Sequence, residues 1–236
     1  MAVSKRSAVP DRSVPGLWAC PLFRDLDAPA MADVTSLLRH RRFRRNEVVF
    51  HAGDPGESMF VITSGSAKIC IVSPEGEEAI IATLRPGDYF GELALLDGEP
   101  RSATATALEP AEMGEIARAV FMRLIETQPA VRLALLVGLA VEVKRLTRHV
   151  EELHFLALPG RLAMRLVELA HEASGDGPGA ELSWHYTQSD LAAMIGGSRQ
   201  SVSRLLGDLA SEGILRVARD LIVIPDVEVL ARVAGR

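Results

Sequence analysis

The sequence predicts an α+β fold: an N-terminal β-roll, a long dimerisation helix and a C-terminal winged helix-turn-helix. Three observations carry this reading. Residues 47–117 hold short β-type runs at near-regular spacing, separated by Gly/Pro turns. Residues 136–153 carry an apolar seam spaced 3, 4, 3, 4, 3. Residues 187–224 read as a capped helix, a glycine turn, a second capped helix and a hairpin.

Residues 1–18, with Pro10 and Pro15, read as a flexible tail, and residues 19–128 as the β-roll domain. Residues 22–45 look helical in pieces, with Val34, Leu37 and Leu38 as the apolar stripe. The β-type runs are 47–50, 59–63, 67–72, 79–84, 103–107 and 112–117. Between them lie Gly53-Asp54-Pro55-Gly56, Ser64-Gly65, Pro74-Glu75-Gly76 and Pro86-Gly87-Asp88, all turn formers.

Residues 129–157 form the dimerisation helix, helical from about Ala130 to Phe155. Its seam is Leu136, Leu139, Val143, Leu146, Val150 and Leu153, flanked by Arg145, Arg148, Glu151 and Glu152. So narrow a stripe between charges suits a two-helix seam, hence a homodimer; packing on its own domain is the alternative. Pro159-Gly160 reads as a hinge into the last domain, residues 158–236. There, helices at 162–173, 187–195 and 198–211 precede β-type runs at 214–217 and 221–224.

Composition narrows the function classes. With 236 residues, 48% apolar and 24% charged, the chain can bury a sizeable core in one large or two small domains. No apolar run approaches the roughly 20 residues that span a bilayer, and residues 1–18 hold no secretory h-region. Cys20 and Cys70 make neither a disulfide framework nor a metal site. A cytoplasmic protein without a membrane partner is expected. The net charge is −5, and residues 157–236 hold eight arginines, no lysine and ten acids. Any DNA contact must therefore rest on a few placed arginines rather than a bulk field.

The first constellation is Phe90-Gly91-Glu92-Leu93-Ala94-Leu95-Leu96 with Pro100-Arg101-Ser102-Ala103. Gly91 permits an unusual backbone angle or a close ligand approach. The turn starting at Leu93 aims free N–H groups at an anion. Arg101 offers a guanidinium fork to a phosphate and Ser102 a hydroxyl donor. Glu92 either accepts from sugar hydroxyls or pairs with Arg101 to pin the roll.

This string resembles the phosphate-binding cassette of cyclic-nucleotide-binding domains, found in kinase subunits, channels and the Crp–Fnr transcription regulators. The resemblance implies that Gly91 and Glu92 serve the ribose 2′-hydroxyl and that Arg101 and Ser102 hold the cyclic phosphate. The Leu93 and Ala94 amides would assist.

In the second constellation, Thr187-Gln188-Ser189-Asp190 reads as a capping box, with Leu191 and Ile195 facing inward. Ser198 then caps a helix whose buried stripe is Val202, Leu205, Leu206 and Leu209. Arg199, Gln200, Ser203 and Arg204 are left outward in its first two turns, where a recognition helix reads the major groove. Together the two constellations resemble the Crp–Fnr family from about Leu22 to the C-terminus. Leu153-His154-Phe155-Leu156 and Pro159-Gly160-Arg161 look like its hinge. By that match Arg199, Gln200 and Arg204 contact bases, and Ser198 holds backbone phosphate.

Two departures stand out. Gln200 occupies a position where the best-known members carry Glu; Gln both donates and accepts where Glu only accepts, so a different operator base is expected there. A Thr-Ser pair that touches adenine in the cyclic-AMP receptor branch falls here on Leu146 and Thr147, and only Thr147 can hydrogen-bond. The ligand expected is cyclic AMP, with cyclic GMP second.

Other readings carry less. An iron–sulfur cluster normally needs four thiolates, and only Cys20 lies near the N-terminus. His51 and His149 read as surface or hydrogen-bonded side chains rather than haem ligands, and Trp18 and Trp184 as packing residues. No nucleophile–base–orienter set or metal pair is present, so no enzyme is expected. The partners implied are double-stranded DNA with a two-fold operator, a second copy of the chain and RNA polymerase. The alternatives are a DNA binder that ignores ligand, and a nucleotide-sensing subunit acting by protein contact.

Overall fold

A computed structural model describes residues 15–174, 177–183, 186–218 and 221–235. Residues 1–14, Trp184 and Arg219-Asp220, on which the expected tail, a packing tryptophan and the expected hairpin turn fall, lie outside these. The fold is the mixed α+β one expected: a β-rich domain, a long helix and a C-terminal helix-turn-helix. The chain divides into two compact units, Met1–Ile71 with Ala82–Glu142 and Val72–Ile81 with Val143–Arg236.

The first unit opens with α1 (Pro15–Ala19) and α2 (Ala28–Leu37). The strands β1 (Arg39–Phe43), β2 (Val48–Phe50), β3 (Ser58–Ser64), β4 (Ala67–Val72), β5 (Glu78–Leu84) and β6 (Tyr89–Phe90) follow. After a short helix α3 (Leu93–Asp97) come β7 (Thr104–Ala107), β8 (Ala111–Ala117) and helix α4 (Arg118–Thr127). Two four-stranded sheets result, ordered β1-β8-β3-β6 and β2-β7-β4-β5. Phe43, Phe60, Ile62, Phe90, Ala105 and Met113 fill one core, with Phe50 packed against it. A second core gathers Phe23, Met31, Met59, Leu95, Phe121, Val131 and Leu135 from the helices and strands.

Three sequence expectations change here. Residues 15–18 are no tail: Leu17 is fully buried, and a Cβ at Gly16 would stand 2.5 Å from the Thr63 Cα. Residues 39–43 are a strand, not helix. No apolar alternation marks β1, whose first four residues are exposed. Pairing with β8 specifies it instead, helped by the ion pairs Arg41–Glu115 at 3.0 Å and Arg42–Glu112 at 2.9 Å. The two-residue β6 was too short for periodicity to reveal, yet its pairing Phe60↔Phe90 sets the start of the cassette.

The long helix α5 (Pro129–Phe155) contributes to both units. Val131 and Leu135 are buried, and Leu139 packs against the first unit's core. Leu136, Val143, Leu146, Val150 and Leu153 are exposed in the single chain, and so are Leu133, Val137 and Val141. Leu139 differs from these seam neighbours in being half-buried, packed in part within its own chain.

The second unit continues with α6 (Leu158–Ser174), β9 (Ala180–Ser183), α7 (Gln188–Ile195), α8 (Arg199–Ser211), β10 (Arg216–Val217), β11 (Leu221–Ile224) and α9 (Val227–Ala234). The break after α5 falls at Leu156-Ala157, not at Pro159-Gly160. Proline is accommodated in a first helical turn, so both residues lie inside α6. A Cβ at Gly160 would approach the Ala234 carbonyl oxygen to 3.0 Å, so the glycine seats α9. The small sheet is ordered β10-β11-β9, a strand more than the expected hairpin. Among the described residues no single helix is long and apolar enough to cross a membrane.

Candidate ligand clamp and nucleic-acid interface

The clamp starts from a tight approach. Gly91 has φ +83°, and a Cβ there would lie 2.6 Å from Arg101 Nη1. With glycine in place, Nη1 donates to the Gly91 carbonyl at 2.7 Å and Nη2 donates to the carbonyl of Ser58. The guanidinium carbon sits 4.2 Å from the Phe50 ring centroid, a cation–π contact. Phe50 in turn packs on Phe90 and Phe60, with centroids 5.8 and 6.0 Å away. Arg101 is thereby 6% exposed, and its Nε has no partner among the described residues. An orphaned N–H on a buried cation is costly unless an acceptor reaches it, so the site fits an anion.

Both ends of Arg101's backbone are also tied. Its N–H donates to the Asp54 carbonyl at 2.9 Å, and its carbonyl accepts from Gly53 at 2.8 Å. Burial draws the guanidinium below the usual arginine range, opposed by the carboxylates of Asp54, then Glu92 and Glu115. Backbone carbonyls, not Glu92, hold the two terminal nitrogens. The ion-pair reading of Glu92 with Arg101 therefore loses ground.

Glu92 stands at the N-cap of α3. Burial pushes its carboxyl above the ordinary range, and the Glu142 carboxylate adds to the push. The amides of Leu95 and Leu96 donate to the Glu92 carbonyl at 3.0 and 3.1 Å, while those of Leu93 and Ala94 belong to the turn's open start. Ala94 and Leu95 are buried, and Leu93 is exposed. Gly56 fixes the turn's position, since a Cβ there would lie 2.3 Å from that of Ala94.

The structure thus brings Gly91, Glu92, the Leu93–Ala94 turn and Arg101 together. Ser102 follows in the chain, exposed. Thr147 lies in the second unit, exposed, and its hydroxyl donates to the Val143 carbonyl at 3.0 Å. Phe50, Ser58 and Asp54 escaped the sequence reading. Ser58 and Asp54 hold Arg101 through backbone carbonyls, which no side-chain pattern reports. Among the described residues, no group of three or more His, Cys, Asp or Glu could hold a metal.

In the second unit, Thr187 closes a capping box: its Oγ1 accepts from the Asp190 amide at 3.1 Å, and Asp190 Oδ2 accepts from the Thr187 amide at 2.8 Å. Gly196, at φ +64°, ends α7 in the left-handed region. Gly197 lies against Leu158, whose Cδ1 a Cβ would meet at 2.9 Å. Ser198 Oγ accepts from the Ser201 amide at 3.1 Å and shares a hydrogen bond with Ser201 Oγ at 2.9 Å. Val202, Leu205, Leu206 and Leu209 of α8 are buried. Arg199, Gln200, Ser203 and Arg204 are exposed in its first two turns.

Comparisons agree with both halves. Residues 40–128 match the cyclic nucleotide-binding domain family, and residues 160–233 the Crp-like helix-turn-helix domain family. The chain is similar to a CRP-like cAMP-activated global transcriptional regulator of Mycobacterium tuberculosis, 32% identical over 89% of this chain and 95% of the relative. It is also similar to the cyclic AMP receptor protein of Thermus thermophilus, at 32% identity over 91% of this chain and 96% of the relative. Among solved structures, the c-di-GMP responsive regulator CLP of Xanthomonas campestris superposes with a TM-score of 0.73 at 25% identity, covering 84% of this chain and 99% of that one. These relatives are transcription regulators, not enzymes. A clamp built for an anion, a capped helix with its arginines outward, and this breadth of similarity lead to one conclusion: the chain belongs to the Crp–Fnr family of transcription regulators.

Proposed function

We propose that this chain is a sequence-specific DNA-binding regulator controlled by a cyclic nucleotide, cyclic AMP first and cyclic GMP second. The observation that carries the reading is the buried Arg101 guanidinium, held on two carbonyls with its Nε unpaired. A cyclic phosphate supplies the missing acceptor and the counter-charge. Glu92 and Gly91 take the ribose hydroxyl, the Leu93 and Ala94 amides and the Ser102 hydroxyl complete the anion shell, and Thr147 accepts from the base.

The protein acts as a cytoplasmic homodimer through Leu136, Val143, Leu146, Val150 and Leu153, with Leu139 bracing the helix on its own roll. Ligand binding biases the break between α5 and α6 and so spaces two copies of α8 about 34 Å apart on a two-fold site. There Arg199, Gln200 and Arg204 read bases, Ser198 and Ser203 support them, and bound DNA is presented to RNA polymerase.

Isothermal calorimetry tests the ligand half with cyclic AMP, cyclic GMP and c-di-GMP as titrants. The reading expects saturable binding of a cyclic mononucleotide that disappears in Arg101→Ala. Binding of none of the three would make the roll a ligand-independent scaffold. Binding that survives in Arg101→Ala would place the ligand elsewhere.

A further inference from the structure

Gly207 lies in the interior of α8, a position where glycine weakens a helix more than any residue but proline. It has neither a left-handed φ nor any atom within 4 Å of where a Cβ would stand. Gly138, by contrast, presses on the Tyr89 hydroxyl and Gly160 on the Ala234 carbonyl. Alanine would fit at 207, so nothing within the described chain asks for glycine there.

Its placement points outward. Gly207 follows Gln200 by seven residues, Ser203 by four and Arg204 by three, so the four share one face opposite the buried stripe. At 1.5 Å per residue it lies about 12 Å along the axis from Arg199, close to the width of a major groove. A helix whose first turns meet base edges carries such a residue to the groove wall, where the sugar–phosphate chain runs. Arg204, one turn back, supplies counter-charge.

We propose that Gly207 is a DNA-contact position of this chain: its missing side chain lets the operator's phosphodiester backbone pack directly on the helix backbone. The inference rests on α8 being the reading helix.

The test uses an operator selected from a random duplex library, fluorescence anisotropy and thermal melts of the full chain. Gly207→Ala should melt higher than the parent yet bind the operator about fivefold more weakly, and Gly207→Leu about fiftyfold more weakly, as overpacking a close contact requires. Both should select the parent's base sequence, because backbone contacts carry no sequence information directly. Parental affinity in both, with Arg204→Ala weakened, overturns this inference alone. Parental affinity in Arg204→Ala as well overturns the assignment of α8 and this inference with it. A changed base preference in Gly207→Ala overturns the backbone contact in favour of a base contact.

Discussion

The Arg101 guanidinium carbon lies over Phe50, 4.2 Å from the ring centroid, and two backbone carbonyls hold its terminal nitrogens. Groups of the protein itself therefore position the cation. Such preorganisation spares a bound anion the cost of ordering its partner. Shape matters here as much as charge.

That distinction is testable with Arg101→Lys. Lysine keeps the charge but cannot span the Gly91 and Ser58 carbonyls while presenting a further N–H. Cyclic-nucleotide affinity should fall by about 1.5–3 kcal/mol, the worth of a charge-assisted bond, with the fold retained. Calorimetry checks this, and near-parental affinity would mean that charge alone suffices.

Glu92 gives a pH dependence of defined sign. Burial raises its carboxyl above the ordinary range, so the folded chain holds that proton more tightly than the unfolded one. Its contribution to stability is then largest below the ordinary carboxylate value and is lost as pH rises through the raised folded value. Glu92→Gln should melt higher than the parent at neutral pH, and the gain should shrink to nothing as the pH falls through that window. Its ligand affinity should drop at the same time. Melting curves across pH decide, and a gain that grows on acidification would reverse the assignment.

The long helix separates two kinds of apolar residue. Val143 is 62% exposed in the single chain, whereas Leu139 packs on its own core. Val143→Lys should give a folded monomer by sedimentation, since the seam would receive an unpaired charge. Leu139→Lys should instead lower the melting temperature of each protomer. An intact Val143→Lys dimer would show that the exposed face is not the seam.

The roll, the long helix and the capped helix α8 were legible because each carries a periodic or capping signal. Ser198 and Thr187 announce their helices through side chains that bond the backbone. Strand β1 was not legible: Arg39, His40, Arg41 and Arg42 alternate nothing apolar, and only pairing with β8 makes them a strand. Leu139 looked like its seam neighbours because a 3–4 spacing does not distinguish the two faces it borders. Of the clamp, Gly91, Glu92 and Arg101 were visible, but the carbonyls of Ser58 and Asp54 were not, because the groups they supply belong to the backbone.

Base reading should rest on few contacts, because the arginines exposed near the start of α8 sit in an otherwise acidic half. Arg199→Ala and Arg204→Ala should each cost about 1–3 kcal/mol on the selected operator with little loss on random DNA. Gln200→Glu should shift preference at one base pair in each half-site, having lost a donor. Selection from a duplex library reads all three, and unchanged preference and affinity throughout would remove α8 as the reading helix.

The account's central claim is that a nucleotide seated on Arg101 controls DNA binding by α8. Anisotropy of a labelled, library-selected operator, titrated with protein in the presence and absence of cyclic AMP and cyclic GMP, tests it most directly. At least about a tenfold gain in affinity with one nucleotide, some 1.4 kcal/mol of coupling, is predicted for the parent, and none for Arg101→Ala. Equal affinity with and without nucleotide, unchanged by Arg101→Ala, would contradict the claim and leave a DNA-binding protein that ignores its sensor domain.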